Sequence, residues 1–288
     1  MQIREILKLI KIRFTERGIT FIYASIMGLL VASKANPNPI HLIYAFLTTF
    51  FVILAIYINN DVMDYEFDKI NKVDRPIATG SVTRKQGLIL VIILISSGIL
   101  LSALINVETL LITISLFLLG FCYSTPPPRF KSRFFIEHIT TALGGFLSCL
   151  IGGAIASNIS IQVIYLGLVY FMIIFSGTPL FDLPDLKGDM AQKLKSISVL
   201  YGPKFGIKFS IVGWSLVIVI TALTYPYAGF NIITPIVVTA TCAAFIWIAY
   251  SLFNQWQNVN YSISALKKII FINFITQLSF VLGILKIF

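Results

Sequence analysis

Charge is scarce in this chain. Asp, Glu, Lys and Arg make up 12% of its 288 residues, about half the share of a soluble domain. Hydrophobic residues make up 57%, and mean hydropathy is +0.90. That balance excludes an ordinary water-soluble fold and implies an integral membrane protein. Cysteine is sparse as well: Cys122, Cys149 and Cys242 are far apart and no Cys-x-x-Cys occurs, so neither a thiolate metal site nor a disulfide framework is expected. The short alternating segments of a β-barrel are missing. No small-residue cleavage signal follows the first charged stretch, so a cleavable signal peptide is not expected.

Long apolar runs are what the chain has instead. Windows able to cross a bilayer as helices fall near 18–35, 40–60, 86–106, 109–124, 138–156, 162–181, 208–225, 232–252 and 269–287,. Backbone groups find no water in lipid, so helices are the expected form. The expectation is an all-α fold, a multi-pass bundle of nine transmembrane helices with a central cavity, as one domain over residues 1–288. The net charge of +10 could indicate nucleic acid, but the cations are sorted by side. The N-terminus and the links after spans 2, 4, 6 and 8 carry twenty Lys and Arg, while the other side keeps Lys34 and Lys286. Such sorting reads as orientation and not as nucleic-acid binding: N-terminus and long loops cytoplasmic, C-terminus opposite. The long links, after spans 2 and 6, are the ones expected to be functional.

The twelve acidic residues are not scattered. Asp61, Asp64, Glu66, Asp68 and Asp74 follow span 2, and Asp182, Asp185 and Asp189 follow span 6. Both sets contain an i, i+3, i+7 triplet, which on a continuous helix puts three carboxylates on one face. Glu66 falls off that face and is expected to be a bystander. Like charges this close repel unless cations sit among them. Hard oxygen ligands, with Asn60 adding a neutral one, suit Mg²⁺ or Mn²⁺, whose shells phosphate oxygens commonly complete. A metal bridging both clusters requires spans 2 and 6 to be near neighbours. Lys72, Arg75, Tyr123, Arg129 and Lys131 lie on adjoining loops, Arg75, Arg129 and Lys131 within Pro-containing turns. They are candidates to share the charge of a diphosphate.

These residues resemble the UbiA superfamily of intramembrane prenyltransferases. Asn60, Asp61, Asp64 and Asp68 match its NDxxDxxxD signature and "NKVDRP" its N-K-x-x-R-P. Asp182, Asp185 and Asp189 match the second aspartate motif. "YSTPPPRFK" and "KSISVLYG" resemble the flanking family segments. The resemblance implies an enzyme with metal-bridged motifs binding an isoprenyl diphosphate, and the sorting of cations puts that site on the cytoplasmic side. Ionisation then gives an allylic cation that a lipophilic acceptor captures. The six aspartates would be both metal-binding and catalytic. An aromatic acceptor of the quinone, tocopherol or chlorophyll kind is the first expectation. The alternatives are geranylgeranylglyceryl phosphate prenylation of the archaeal type and cyclisation of the prenyl chain. Members with the first two acceptor types commonly carry Lys where Phe181 stands here. Of the two histidines, His138 at the start of span 5 is the better placed as a base, and His41 is expected to pack. A cation transporter is the non-enzyme alternative, but spans 3, 4, 7, 8 and 9 have no acid in their apolar interiors, leaving an ion entrance without an exit.

Overall fold

A computed structural model describes residues 3–70, 74–191 and 194–285. Every regular element among them is helical. In chain order they are α1 (Ile3–Arg13), α2 (Ile19–Ala32), α3 (Pro39–Met63), α4 (Tyr65–Ile70), α5 (Arg84–Ile105), α6 (Val107–Ser124), α7 (Ile136–Ile155), α8 (Ile161–Phe181), α9 (Leu186–Ala191), α10 (Ile197–Leu200), α11 (Pro203–Thr224), α12 (Ile233–Ser251) and α13 (Val259–Ile284). Eight helices are long and apolar enough to cross a membrane by themselves. A ninth span exists only if α1 and α2, bent by 60° at Phe14–Gly18, are taken together. The first window of the sequence thus corresponds to a 14-residue helix, roughly 21 Å long at 1.5 Å per residue. The last window starts ten residues too late, because the polar first turns of α13 lower its hydropathy.

Local sequence sets the helix ends. Asn38 caps α3 ahead of Pro39, and Thr83 with Gln86 forms a capping box at α5,. Asn106 and Asn258 cap α6 and α13,. Side-chain amides also tie far-end loops to carbonyls that a helix end leaves open. Asn158 donates to Ala32 O, Asn106 to Ala154 O, and Asn231 to Leu282 O and Leu285 O.

Two apolar cores flank α2 and α7, which belong to both. One gathers α8 and α11–α13 around Trp214 and Phe245; the other gathers α3, α5 and α6 around Leu54 and Leu116. Between α2 and α7 the backbones nearly touch. A Cβ on Gly152 would collide with Ser25 O and Leu29 N, and one on Gly28 with Cys149 O. Small residues permit such an approach in lipid, where packing rather than water expulsion joins helices. Spans 2 and 6 are neighbours across a cavity and do not pack directly on each other. The main packing partners of α3 are α2, α5, α6 and α7, whereas α8 packs on α2, α7 and α11. The two signature segments face each other across a cavity, which a ligand-binding gap requires.

Candidate active site

Each aspartate motif sits where a long helix stops. α3 ends at Met63, Asp64 closes it with its N–H on Asn60 O, and Asp68 lies on the separate short α4. Asp182 closes α8, a 3₁₀ turn covers Leu183–Asp185, and Asp189 lies on α9. The triplets therefore do not share one face of a continuous helix. The chain bends at both places, and two aspartates of the first triplet and all three of the second line a common mouth.

That mouth is a cavity of about 1460 Å³ including its open end. Its lining includes six carboxylates (Asp64, Asp68, Glu137, Asp182, Asp185 and Asp189) and the cations Arg13, Arg75 and Lys131. Asn60 lines it too and donates to Ser124 Oγ at 2.8 Å. Asp61 points elsewhere. It is 1% exposed and held by Arg13, whose Nε lies 2.7 Å from Asp61 Oδ2. Arg75 ties the motif together, 3.3 Å from Asp68 and 3.6 Å from Asp61. Its Nε is buried with no hydrogen-bond partner among the described residues. Lys131, 6% exposed, donates to both oxygens of Asp64. Arg129 stands behind, 3.8 Å from Asp64 and over the Phe67 ring. Burial pushes the Asp68 carboxyl up, with Asp64 adding and Arg75 opposing. Burial pulls the Lys131 ammonium down, with Asp64 opposing,. The charges of the first motif are desolvated, and its aspartates are paired with Arg13, Arg75 and Lys131.

Two apolar arms adjoin the mouth through shared lining residues. The larger encloses about 820 Å³ between α2, α7, α8, α11 and α13; the smaller encloses about 510 Å³ between α2, α3, α6 and α7. Tyr57 and Tyr123 line all three spaces. Phe181 and Asp182 line the mouth and the larger arm.

Among the described residues no three His, Cys, Asp or Glu side chains form a ready metal cage. The donor set nevertheless fits hard cations: carboxylates outnumber the cationic side chains around the mouth, and Mg²⁺-type ions use few protein ligands. Sequence patterns missed two participants. Arg13 counted only as an orienting cation, and Glu137 stood outside both motifs. Neither carries a local signal, since each reaches the mouth through the helix packing. Lys72 lies outside the described residues. His138 is buried against Phe135 and Phe175 and does not line the mouth or either arm. His41 stacks on Tyr44. Glu66 is exposed, 3.9 Å from Arg84.

The model of the UbiA prenyltransferase family matches residues 21–275. The chain belongs to this family. It is therefore a prenyltransferase of the membrane, and the ion-pathway alternative is set aside. Curated relatives include the digeranylgeranylglyceryl phosphate synthase of Methanobrevibacter smithii, 31% identical over 81% of this chain and 84% of that one. The enzyme of the same name from Methanocaldococcus jannaschii is 26% identical over 99% and 98%. Among solved structures, a digeranylgeranylglyceryl phosphate synthase superposes with a TM-score of 0.75 at 25% identity, covering 99% of both chains. A UbiA homolog from Archaeoglobus fulgidus bound to DMAPP and Mg²⁺ shares the fold, with a TM-score of 0.76 at 18% identity over 99% and 100% of the two chains.

Proposed function

We propose that this chain transfers an isoprenyl group from an isoprenyl diphosphate to the hydroxyl of a lipid acceptor of the geranylgeranylglyceryl phosphate type. The observation that carries this reading is one charged mouth serving two apolar arms. Two lipid reactants each bring a polar head and an apolar tail, and each buried methylene contributes ~0.8 kcal/mol. The names of the relatives support the same acceptor class, in preference to the aromatic acceptor first expected from the motifs.

In this reading Asn60, Asp64, Asp68, Asp182, Asp185 and Asp189 hold divalent cations of the Mg²⁺ or Mn²⁺ kind. Asp61 supports the motif through Arg13 and Arg75. Bound there, such ions supply Lewis-acid stabilisation of the departing diphosphate. Arg75 and Lys131 add fixed positive charge beside it, with Arg129 and Lys72 on the adjoining loops, and Tyr123 offers a hydroxyl. Breaking the C–O bond leaves an allylic cation, and the apolar arms keep bulk water from it. The twenty-to-two sorting of cations supports a cytoplasmic mouth with the C-terminus opposite.

One observation favours a second reading. Phe181, an aromatic ring at the mouth, replaces the Lys of the resembled motif and takes away a charge that an acceptor phosphate could use. Because members with either acceptor type commonly carry that Lys, its loss points to cyclisation without an acceptor or to an acceptor of another kind. The purified protein with Mg²⁺ and geranyl, farnesyl or geranylgeranyl diphosphate is offered geranylgeranylglyceryl phosphate, homogentisate or no acceptor. Ether product with the first acceptor is the expected result. Diphosphate release only with the aromatic acceptor, or only without one, would replace the proposal. No release in any combination would end it.

A further inference from the structure

We infer that Glu137 receives the proton that the acceptor hydroxyl loses as the new ether bond forms. The inference rests on the proposed hydroxyl acceptor. Five residues, Tyr57, Tyr123, Glu137, Phe181 and Asp182, line both the charged mouth and the larger apolar arm. They mark the seam where a tail held in the arm would present its hydroxyl to a diphosphate held in the mouth. Two of the five are carboxylates. Asp182 belongs to the second aspartate motif, whereas Glu137 belongs to neither.

Asp61, Asp64 and Asp68 are engaged by Arg13, Lys131 and Arg75. Glu137 accepts a hydrogen bond from the neutral hydroxyl of Tyr123 at 3.3 Å. It stands in the first turn of α7 and is 8% exposed. The partial positive charge of a helix N-terminus favours a carboxylate at that place. One turn on, Thr141 donates to Glu137 O at 3.0 Å and lines both arms. The carboxylate is thus held at the meeting point of head and tail spaces by the Tyr123 hydroxyl and a helix end, while Thr141 engages the helix backbone at the same turn.

The step balances. The bond between the prenyl C1 and the diphosphate oxygen breaks, and its electron pair leaves on the diphosphate. A lone pair of the acceptor oxygen forms the new bond to C1. The O–H proton passes to Glu137, which later returns it to water at the mouth. A positioned base contributes ~10²–10⁴-fold to such a transfer.

The test compares wild type, Glu137→Gln and Glu137→Asp as full-length protein in lipid nanodiscs with Mg²⁺, geranylgeranyl diphosphate and geranylgeranylglyceryl phosphate. Ether product and released diphosphate are measured separately. For Glu137→Gln the expected result is a kcat for ether formation lower by 100-fold or more, with the donor KM unchanged within about threefold. Less ether should also form per diphosphate released, and Glu137→Asp should recover part of the rate. A Gln variant with near wild-type kcat would overturn the assignment. So would Gln and Asp variants that both bind the donor poorly, since that marks a structural role. An active wild type with an active Gln variant removes only the Glu137 role, whereas a wild type inert toward every diphosphate removes the prenyl-transfer reading beneath it.

Discussion

Arg13 and Asp61, 48 residues apart in sequence, form a buried pair at the root of the first aspartate motif, with Nε 2.7 Å from Oδ2. Arg13 is the last residue of α1, and Asp61 lies in the final turn of α3. Glu16 at 3.2 Å from Arg13 and Arg75 at 3.6 Å from Asp61 extend the pair into a network. The first helix is therefore part of the site's foundation.

Removing one partner of a buried ion pair strands the other's charge, which costs about 3–5 kcal/mol. Arg13→Ala is expected to lower stability by that order, and the double variant Arg13→Met with Asp61→Leu to recover much of it. Unfolding of the detergent-solubilised protein, followed for single and double variants, checks this. An Arg13→Ala protein as stable as wild type would show that the pair is not buried in solution.

Asp64, from the end of α3, and Asp185, from the turn after α8, line the same mouth. Asp64→Ala and Asp185→Ala are each expected to abolish turnover while leaving expression intact, as is chelation of divalent ions, with activity returning on added Mg²⁺. Diphosphate release is the readout. Near-normal release by either variant would remove that residue from the cation set.

Lys131 places a desolvated ammonium on Asp64. A hydrogen bond between charged groups is worth about 1.5–3 kcal/mol. Lys131→Met is accordingly expected to raise the KM for the prenyl diphosphate by roughly 10–100-fold. Steady-state kinetics at fixed Mg²⁺ measures it, and an unchanged KM would assign Lys131 to anchoring Asp64 alone.

Gly152 and Gly28 let α2 and α7 cross with their backbones in contact. Gly152→Ala must push the helices apart, and overpacking of this kind costs about 1–3 kcal/mol or more. Both arms use these helices as walls, so a loss of activity should accompany the loss of thermal stability. Gly80, with open space around its Cβ position but φ +81, should show only the smaller cost of a strained backbone.

Hydropathy and composition alone determined that this is an all-helical membrane protein. Each apolar run must satisfy its own backbone in lipid, and that requirement is local. Sequence spacing likewise pointed to Asp61, Asp64, Asp68, Asp182, Asp185 and Asp189, because a motif of like charges at a span end is unfavourable without a counter-cation. Packing decided the rest. The bend between α1 and α2 turned an orienting arginine into the partner of Asp61. The ends of α3 and α8 broke the two triplets and aimed them across a gap instead of stacking them on one face. The junction of mouth and arms brought Glu137 beside Tyr123, although no pattern within α7 distinguishes it. Periodicity reports which face a residue occupies on its own helix. Only the tertiary arrangement of the helices reports what that face meets.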